Sequence, residues 1–597
     1  MYRGTWLLLA VPLLLGAFSV GRPTPLPAPF PPAFDTASAL TLANDFIGLY
    51  PQRFPGGPDA AGAADWFRTQ VQPYGIDVRP QPFTADVPGY GRIRLQNLIA
   101  TVRGRSDRRI VVTAHRDALP LGPGANDNAS GTAALIVLAR SYAAPPDEED
   151  ERQGPAHTIV FVSTDGGALG SLGAAHFAET EGEEVDAVIS LDAIAGTGPP
   201  RLQFAGDRPR SPSWTLVRTA SLRITEQTGR APQRPSMLRQ LVDFAFPLNL
   251  YEQSPFVGRG ISAVSITSGD DAPPPAAEDT TIVARDRLGQ LGRAAQTLVG
   301  SVDQGLEVDQ GGAPYVFLGT RAIRGWAIQL VLVAALLPFL AATVDLFARC
   351  RRRRIPLGPA VRSYLSRLGF WLFVGLVFAV VARAGGWPQG DAIAIPPQTE
   401  AARVWPLGAL AVIGVAAAVG WIVARDRLVP RRPVTLEEEL AGHTAALLML
   451  GLIGVLVVAV NAFALIFVLP SLHLWLWLPQ LRDRPVWIRA SLVVAGFVGP
   501  FLLLWSIANR LDLGPDAIAY VLELTAIGYV PVPFVLLFLG WLAVAGQLLT
   551  LTAGRYAPYP SAEERPPRGP VRRLLRAGVL AVERHRASVD ERRALEG

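Results

Sequence analysis

A histidine and several aspartates stand where apolar runs of strand character come to an end. Residues 111–131 read VVTAHRDALPLGPGANDNASG. A β-branched run ends in His115, Asp117 follows two residues later, and Asp127 lies just before a helix opened by Ser130. Two further apolar runs end in Ser163-Thr164-Asp165 and in Leu191-Asp192. Neutral imidazole and carboxylate are donors that zinc accepts, and a carboxylate two residues from the histidine is placed to orient its ring. Ligand sites in parallel sheets gather beyond the carboxyl ends of the strands, so His115, Asp127, Asp165 and Asp192 are expected at one sheet edge. Taken singly, strand-terminal aspartates often cap helices or close turns. The joint pattern is what points to metal chemistry.

The elements that must carry these residues are legible around them. Between residues 34 and 304, short apolar runs at 97–102, 109–114, 158–163 and 187–191 alternate with helical stretches at 131–142, 168–179 and 285–299. Continuous apolar strands separated by helices predict a three-layer α/β/α domain with a mostly parallel sheet covered on both faces. The sequence around Ser171 reads GSLG and supplies no G-x-S-x-G turn for a serine nucleophile. His157 and His176 read as packing or surface residues, and the acidic run 147–151 as a solvated loop.

The remainder of the chain is of another kind. Half of the 597 residues are apolar, too large a share and too long a chain for one ordinary soluble domain. Residues 1–33 read as an N-terminal signal anchor, apolar at 6–20, and a Pro-rich linker. Residues 305–325 form a second linker, 326–555 an all-α multi-pass transmembrane bundle of about seven helices, and 556–597 a basic tail. The spans are expected at 326–347, 369–384, 405–424, 444–460, 462–478, 488–507 and 528–551, with the long apolar stretch folded at Asn461. All the cations are arginines, giving a formal net charge of +5, and they cluster beside apolar runs. Membrane topology accounts for that clustering, and nucleic acid is not expected as a partner. Arginine-rich loops at 349–367, 425–432 and 482–489 are expected to face the cytoplasm. The C-terminus is then cytoplasmic and the α/β domain outside the cytoplasmic membrane. A single cysteine, Cys350, rules out an internal disulfide.

The segments Ala114-His115-Arg116-Asp117 and Gly124 through Gly131, GANDNASG, resemble the A-H-x-D and G-A-x-D-N-A-S-G motifs of the di-zinc aminopeptidase family, metallopeptidase family twenty-eight. Residues 97–104 (NLIATVRG) are similar to the strand before that family's site, and 278–280 with the helix after them to its closing element. The resemblance covers about 34–302. A bundle following such a domain is similar to the endoplasmic-reticulum and vacuolar membrane members. It implies a zinc exopeptidase acting on peptides or protein N-termini.

Carried over by residue, the resemblance assigns His115, Asp127 and Asp192 to one metal, with Asp117 behind the histidine. The second metal would take Asp165, standing where the family has Glu, and Gln253, standing where it has His. The first site is complete and the second degraded, so one zinc is expected to bind well and a second poorly. Thr164 occupies the position of the family's general-base Glu, and a neutral hydroxyl cannot take a proton from water near neutral pH. Asp165 is the carboxylate nearest in sequence to stand in. Two readings follow. One is a membrane-anchored zinc aminopeptidase with a replacement base; the other is a catalytically inactive pseudo-peptidase acting as an extracytoplasmic binding module.

Overall fold

The computed structural model describes residues 10–29, 31–120, 122–143, 154–269, 283–304, 311–429 and 433–554. The acidic run 147–151, the segment 278–280 and the tail 556–597 lie outside the described residues.

Seven strands build the main sheet: β1 (Val78–Val87), β2 (Gly91–Val102), β3 (Ser106–His115), β4 (His157–Thr164), β5 (Val185–Asp192), β6 (Arg201–Gln203) and β7 (Ala263–Thr267). Their order is β1-β2-β4-β3-β5-β7-β6. The four central strands β4, β3, β5 and β7 are parallel, while β1, β2 and β6 extend the sheet antiparallel at its two sides. The sheet is therefore mixed, with its parallel part confined to the centre. Sequence composition explains that division. Ile110, Val111, Val112 and Ala114 of β3 are all fully buried, as a strand covered by helices on both faces must be. In β2 the residues Gly91, Arg92 and Arg94 stay exposed before the buried run 97–100, as suits a strand nearer the side.

Helices Thr36–Leu49, Gly131–Tyr142, Trp214–Thr228 and Arg285–Gln304 contribute to the larger hydrophobic core on one face of the sheet. Helices Leu172–Thr180 and Gln253–Gly258 cover the other, through Phe177 and Phe256. The register sets His115 opposite Thr164 and Thr113 opposite Ser190, which brings the ends of β3, β4 and β5 to one level.

A small antiparallel sheet of Val20–Gly21, Arg321–Arg324 and Tyr315–Leu318 ties the N-terminal segment to the start of the helical half. Beyond it, five helical stretches among the described residues are long and apolar enough to cross a membrane: Gly325–Arg352, Gly358–Gly386, Glu400–Leu428, Leu436–Gln480 and Val532–Thr552. The pair Val486–Ala495 and Val498–Arg510, bent by 48°, raises that number to six if counted as one span. The expected seven treats Leu436–Gln480 as two passes. Within that stretch helix Leu436–Asn461 ends at Asn461, whose backbone is extended and whose side-chain oxygen accepts from the Phe463 amide. A second helix, Leu465–Trp475, then follows.

Candidate metal centre

His115 is the last residue of β3 and Asp192 the last of β5; Asp127 reaches them from the turn that precedes helix Gly131–Tyr142. One ligand atom from each lies within 4.8 Å of the others. The His115 Nε2 is 3.1 Å from Asp127 Oδ1 and 3.7 Å from Asp192 Oδ1. Donors around a tetrahedral zinc with bonds of about 2.0–2.1 Å stand about 3.4 Å apart, close to the two spacings from Nε2.

The turn carrying Asp127 is fastened to the end of β5 by its neighbours. Asn128, fully buried, donates to the Leu191 carbonyl (2.8 Å) and accepts from the amides of Gly131 and Ala193 (3.0 Å each). Asn126 accepts from the Ala195 amide and Ser130 from the Ile194 amide. The polar letters of the GANDNASG motif thus act as a zip holding two metal-ligand segments at fixed separation. Gly131 is required there, because a Cβ would stand 2.3 Å from Asn128 Oδ1 and 2.5 Å from the Leu191 carbonyl oxygen.

The histidine ring is set from its other nitrogen. His115 Nδ1 lies 3.0 Å from the Asp117 carbonyl oxygen, which can only accept, so Nδ1 carries a proton and Nε2 is the nitrogen turned toward Asp127 and Asp192, free to bind an ion once its own proton leaves. The buried Asp117 carboxylate, 3.6 Å from Nδ1, accepts from the amides of Gly167 and Ala168 and so locks the loop after β4 against the histidine. Burial opposes a charged imidazole. The carboxylates of Asp117, Asp127 and Asp192 outweigh it and raise the His115 pKa well above its ordinary value. Three carboxylates facing one imidazole amount to an unmet demand for positive charge.

Asp165 and Gln253 are placed differently. The Asp165 carboxylate pairs with the buried Arg116 guanidinium at 2.9 Å and accepts from the amides of Gln96 and Gly166. Burial pushes its pKa up, with Arg116 opposing. Arg116 also donates to the carbonyls of Ser163 and Thr164, which holds it across the end of β4. The residue between His115 and Asp117 therefore supplies a fixed cation beside the carboxylate expected for a second metal. Gln253 is fully buried, and its amide nitrogen donates to the Ala205 carbonyl and to Asn249.

One residue of the site was not anticipated. Glu252, 1% exposed, approaches from the loop before helix Gln253–Gly258. Its carboxylate accepts a short hydrogen bond from the Thr164 hydroxyl and a longer one, 3.4 Å, from Ser190. Ser190 shares a strand face with Asp192, so this carboxylate lies beneath the metal ligands. Burial raises its pKa to about 7, with the charge on His115 and the Thr164 hydrogen bond opposing. The only trace in the sequence is that Glu252 directly precedes Gln253.

Residues 97–278 match the description Peptidase family M28. A probable zinc metalloprotease of Pyricularia oryzae is 30% identical over 157 residues, 23% of this chain and 30% of its own length. Aminopeptidase YwaD of Bacillus subtilis is 32% identical over 106 residues, 17% of this chain and 22% of its own length. The chain therefore spans about a third or less of these relatives. A solved zinc aminopeptidase from Bacillus subtilis superimposes with a TM-score of 0.36 at 15% identity, covering 46% of this chain and 98% of that one. Residues 97–278 are a peptidase family domain of this type with aminopeptidases among its relatives, followed by helices apolar enough for a membrane.

Two outcomes follow for metal binding. Zinc titration of the purified full chain is expected to give one ion per chain. The affinity falls as pH falls, because binding displaces a proton from His115, and calorimetry in buffers of different ionisation enthalpy reads net proton release on binding. Asn128→Ala is expected to weaken zinc binding about 10–100-fold, the range found when groups supporting ligands are removed, while His115→Ala abolishes it.

Proposed function

We propose that the protein is a membrane-anchored metallohydrolase that releases residues from the free N-termini of peptides, working with one divalent ion and with Glu252 as its general base. The observation that carries this reading is the position of Glu252. A glutamate at position 164 would extend its carboxylate beyond Cβ toward the metal ligands. Thr164 stops short, and its hydroxyl instead donates to the Glu252 carboxylate, which arrives from another element. That contact supports reading Glu252 as the carboxylate that stands in for the missing one.

The roles divide as follows. His115, Asp127 and Asp192 hold the ion; when bound, zinc supplies Lewis-acid chemistry that polarises the scissile carbonyl and makes a neighbouring water more acidic. Asp117 fixes the ring and the loop at 166–168. Thr164 and Ser190 orient the Glu252 carboxylate to accept the proton that water gives up, and the same group can then return it to the departing amine. The Arg116–Asp165 pair fills the second carboxylate's place with an internal ion pair, which favours a single ion. The aminopeptidases among the relatives support an N-terminal exopeptidase, and the arginine-rich loops support a peptidase domain outside the cytoplasmic membrane with the C-terminus inside.

A second reading, a binding module without turnover, is favoured by Thr164 at the usual base position and by the engagement of Asp165 with Arg116. Glu252 separates the two. Glu252→Gln is expected to retain one zinc per chain and lose about 10²–10⁴-fold in kcat on aminoacyl substrates, the contribution typical of a general base. Wild-type protein that holds zinc and releases no N-terminal residue would overturn the hydrolase reading.

The pH dependence has a definite sign. Protonated Glu252 cannot accept a proton, so kcat/KM falls as pH drops through its pKa. A bound cation favours the carboxylate, so the acid limb lies at or below the metal-free value of about 7. In the metal-free protein the folded pKa is raised above the unfolded one, so the folded state binds the extra proton and stability falls as pH rises from about 4.5 to 7. Thermal melts of metal-free protein at pH 5 and pH 8 are expected to differ less in Glu252→Gln than in wild type.

A further inference from the structure

The segment that delivers Glu252 is held from the helical half of the chain. Residues 243–251 run from the end of helix Met237–Ala245 to the site, and their backbone carbonyls are met one after another by side chains from distant elements. Asn461, at the break after helix Leu436–Asn461, donates to the Phe244 carbonyl at 2.7 Å. Tyr529 donates to Pro247 at 2.8 Å. Arg510, the last residue of helix Val498–Arg510, donates to the Leu248 carbonyl and pairs with Asp243 at 2.8 Å. From the peptidase side, Ser171 donates to the Leu250 carbonyl at 2.5 Å.

Apolar contacts reinforce the same attachment. Leu248 is buried in a cluster with Ala394, Ile395, Ile507, Leu511 and Tyr520 of the helical half. Phe244 packs on Phe463 with ring centroids 4.9 Å apart. Charge enters at the Arg510–Asp243 pair, in which both side chains are at most 10% exposed, and Asp243 also lies 3.8 Å from Arg239 of its own helix. A buried ion pair of this kind demands good geometry, because burying charge is costly unless the charges stay paired.

A carboxylate that arrives on a loop cannot inherit its position from the sheet, as a strand-end residue does. Its precision comes from whatever holds the loop, and here that is mainly the helical half. We propose that Arg510 is a positioning residue for the peptidase site: together with Tyr529 and Asn461 it clamps residues 243–250 and so fixes Glu252 against Thr164. The helices then form part of the active-site support as well as an anchor. The proposal rests on the reading of Glu252 given above, and its test keeps the two separable.

The test uses the full-length chain in lipid nanodiscs, comparing wild type, Tyr529→Phe, Arg510→Lys and Arg510→Met. Hydrogen–deuterium exchange is followed on peptides covering 243–252, with β5 as internal reference. Tyr529→Phe removes one hydroxyl, so it keeps the test valid if Arg510→Met fails to fold. The clamp predicts that exchange across 243–252 rises about 10-fold or more in Tyr529→Phe and Arg510→Met while β5 is unchanged, as expected for a local opening. Arg510→Lys recovers part of the protection. With zinc content still one per chain, kcat falls about 10-fold or more and KM changes less than about 2-fold, as for a displaced catalytic group. Unchanged exchange across 243–252 overturns the clamp. Raised exchange with unchanged kcat overturns its link to Glu252. If wild type shows no turnover, the exchange data still decide the clamp while the hydrolase reading fails alone.

Discussion

Carboxylates resist being gathered in a place from which water is largely excluded, and this resistance organises the site. Asp127 and Asp192 converge on His115 with Asp117 behind the ring, and burial alone would drive such groups apart or protonate them. The turn at 126–130 and the chain after β5 hold them together with hydrogen bonds from Asn126, Asn128 and Ser130. Rigidity on the protein side leaves the charge to be balanced by something else, and a divalent cation is what that geometry and donor set accept.

On the reading proposed above, the same electrostatic logic separates this site from one built for two metals. At the neighbouring strand end, Asp165 meets its positive charge internally, from Arg116 at 2.9 Å. An arginine cannot leave and does not deprotonate, so the pair stands where a second ion would otherwise be attracted. Glu252, by contrast, has no cationic side chain bonded to it in the described residues. It is held by the hydroxyls of Thr164 and Ser190, and burial keeps its proton affinity high. The partners of the two carboxylates thus differ, and the proposed roles follow that difference, Asp165 in structure and Glu252 in proton transfer.

How much of this could be read in the sequence depends on how local each signal is. His115, Asp127 and Asp192 are strand-end or turn residues whose positions follow from the alternation of apolar runs and helices, so their convergence was legible. The parallel centre of the sheet was legible for the same reason; its antiparallel sides were not, because an apolar run does not announce the direction of its neighbour. Arg116 looked like the variable letter of a motif, and only the fold brings its guanidinium onto Asp165. Glu252 was hidden because its role depends on a loop path of some nine residues and on partners at 461, 510 and 529. Hydropathy marked the apolar helices, and Asn461 marked a break among them. That these helices touch the loop serving the site has no expression in local pattern at all.

The central claim, that one ion is held by His115, Asp127 and Asp192 while Arg116 fills the neighbouring position, is tested most directly by anomalous scattering at the zinc edge from crystals of the full chain. The account predicts a single peak with bonds of about 2.0–2.2 Å to His115 Nε2 and to carboxylate oxygens of Asp127 and Asp192. A second peak of comparable height between Asp165 and Gln253, with Arg116 turned away, would contradict it.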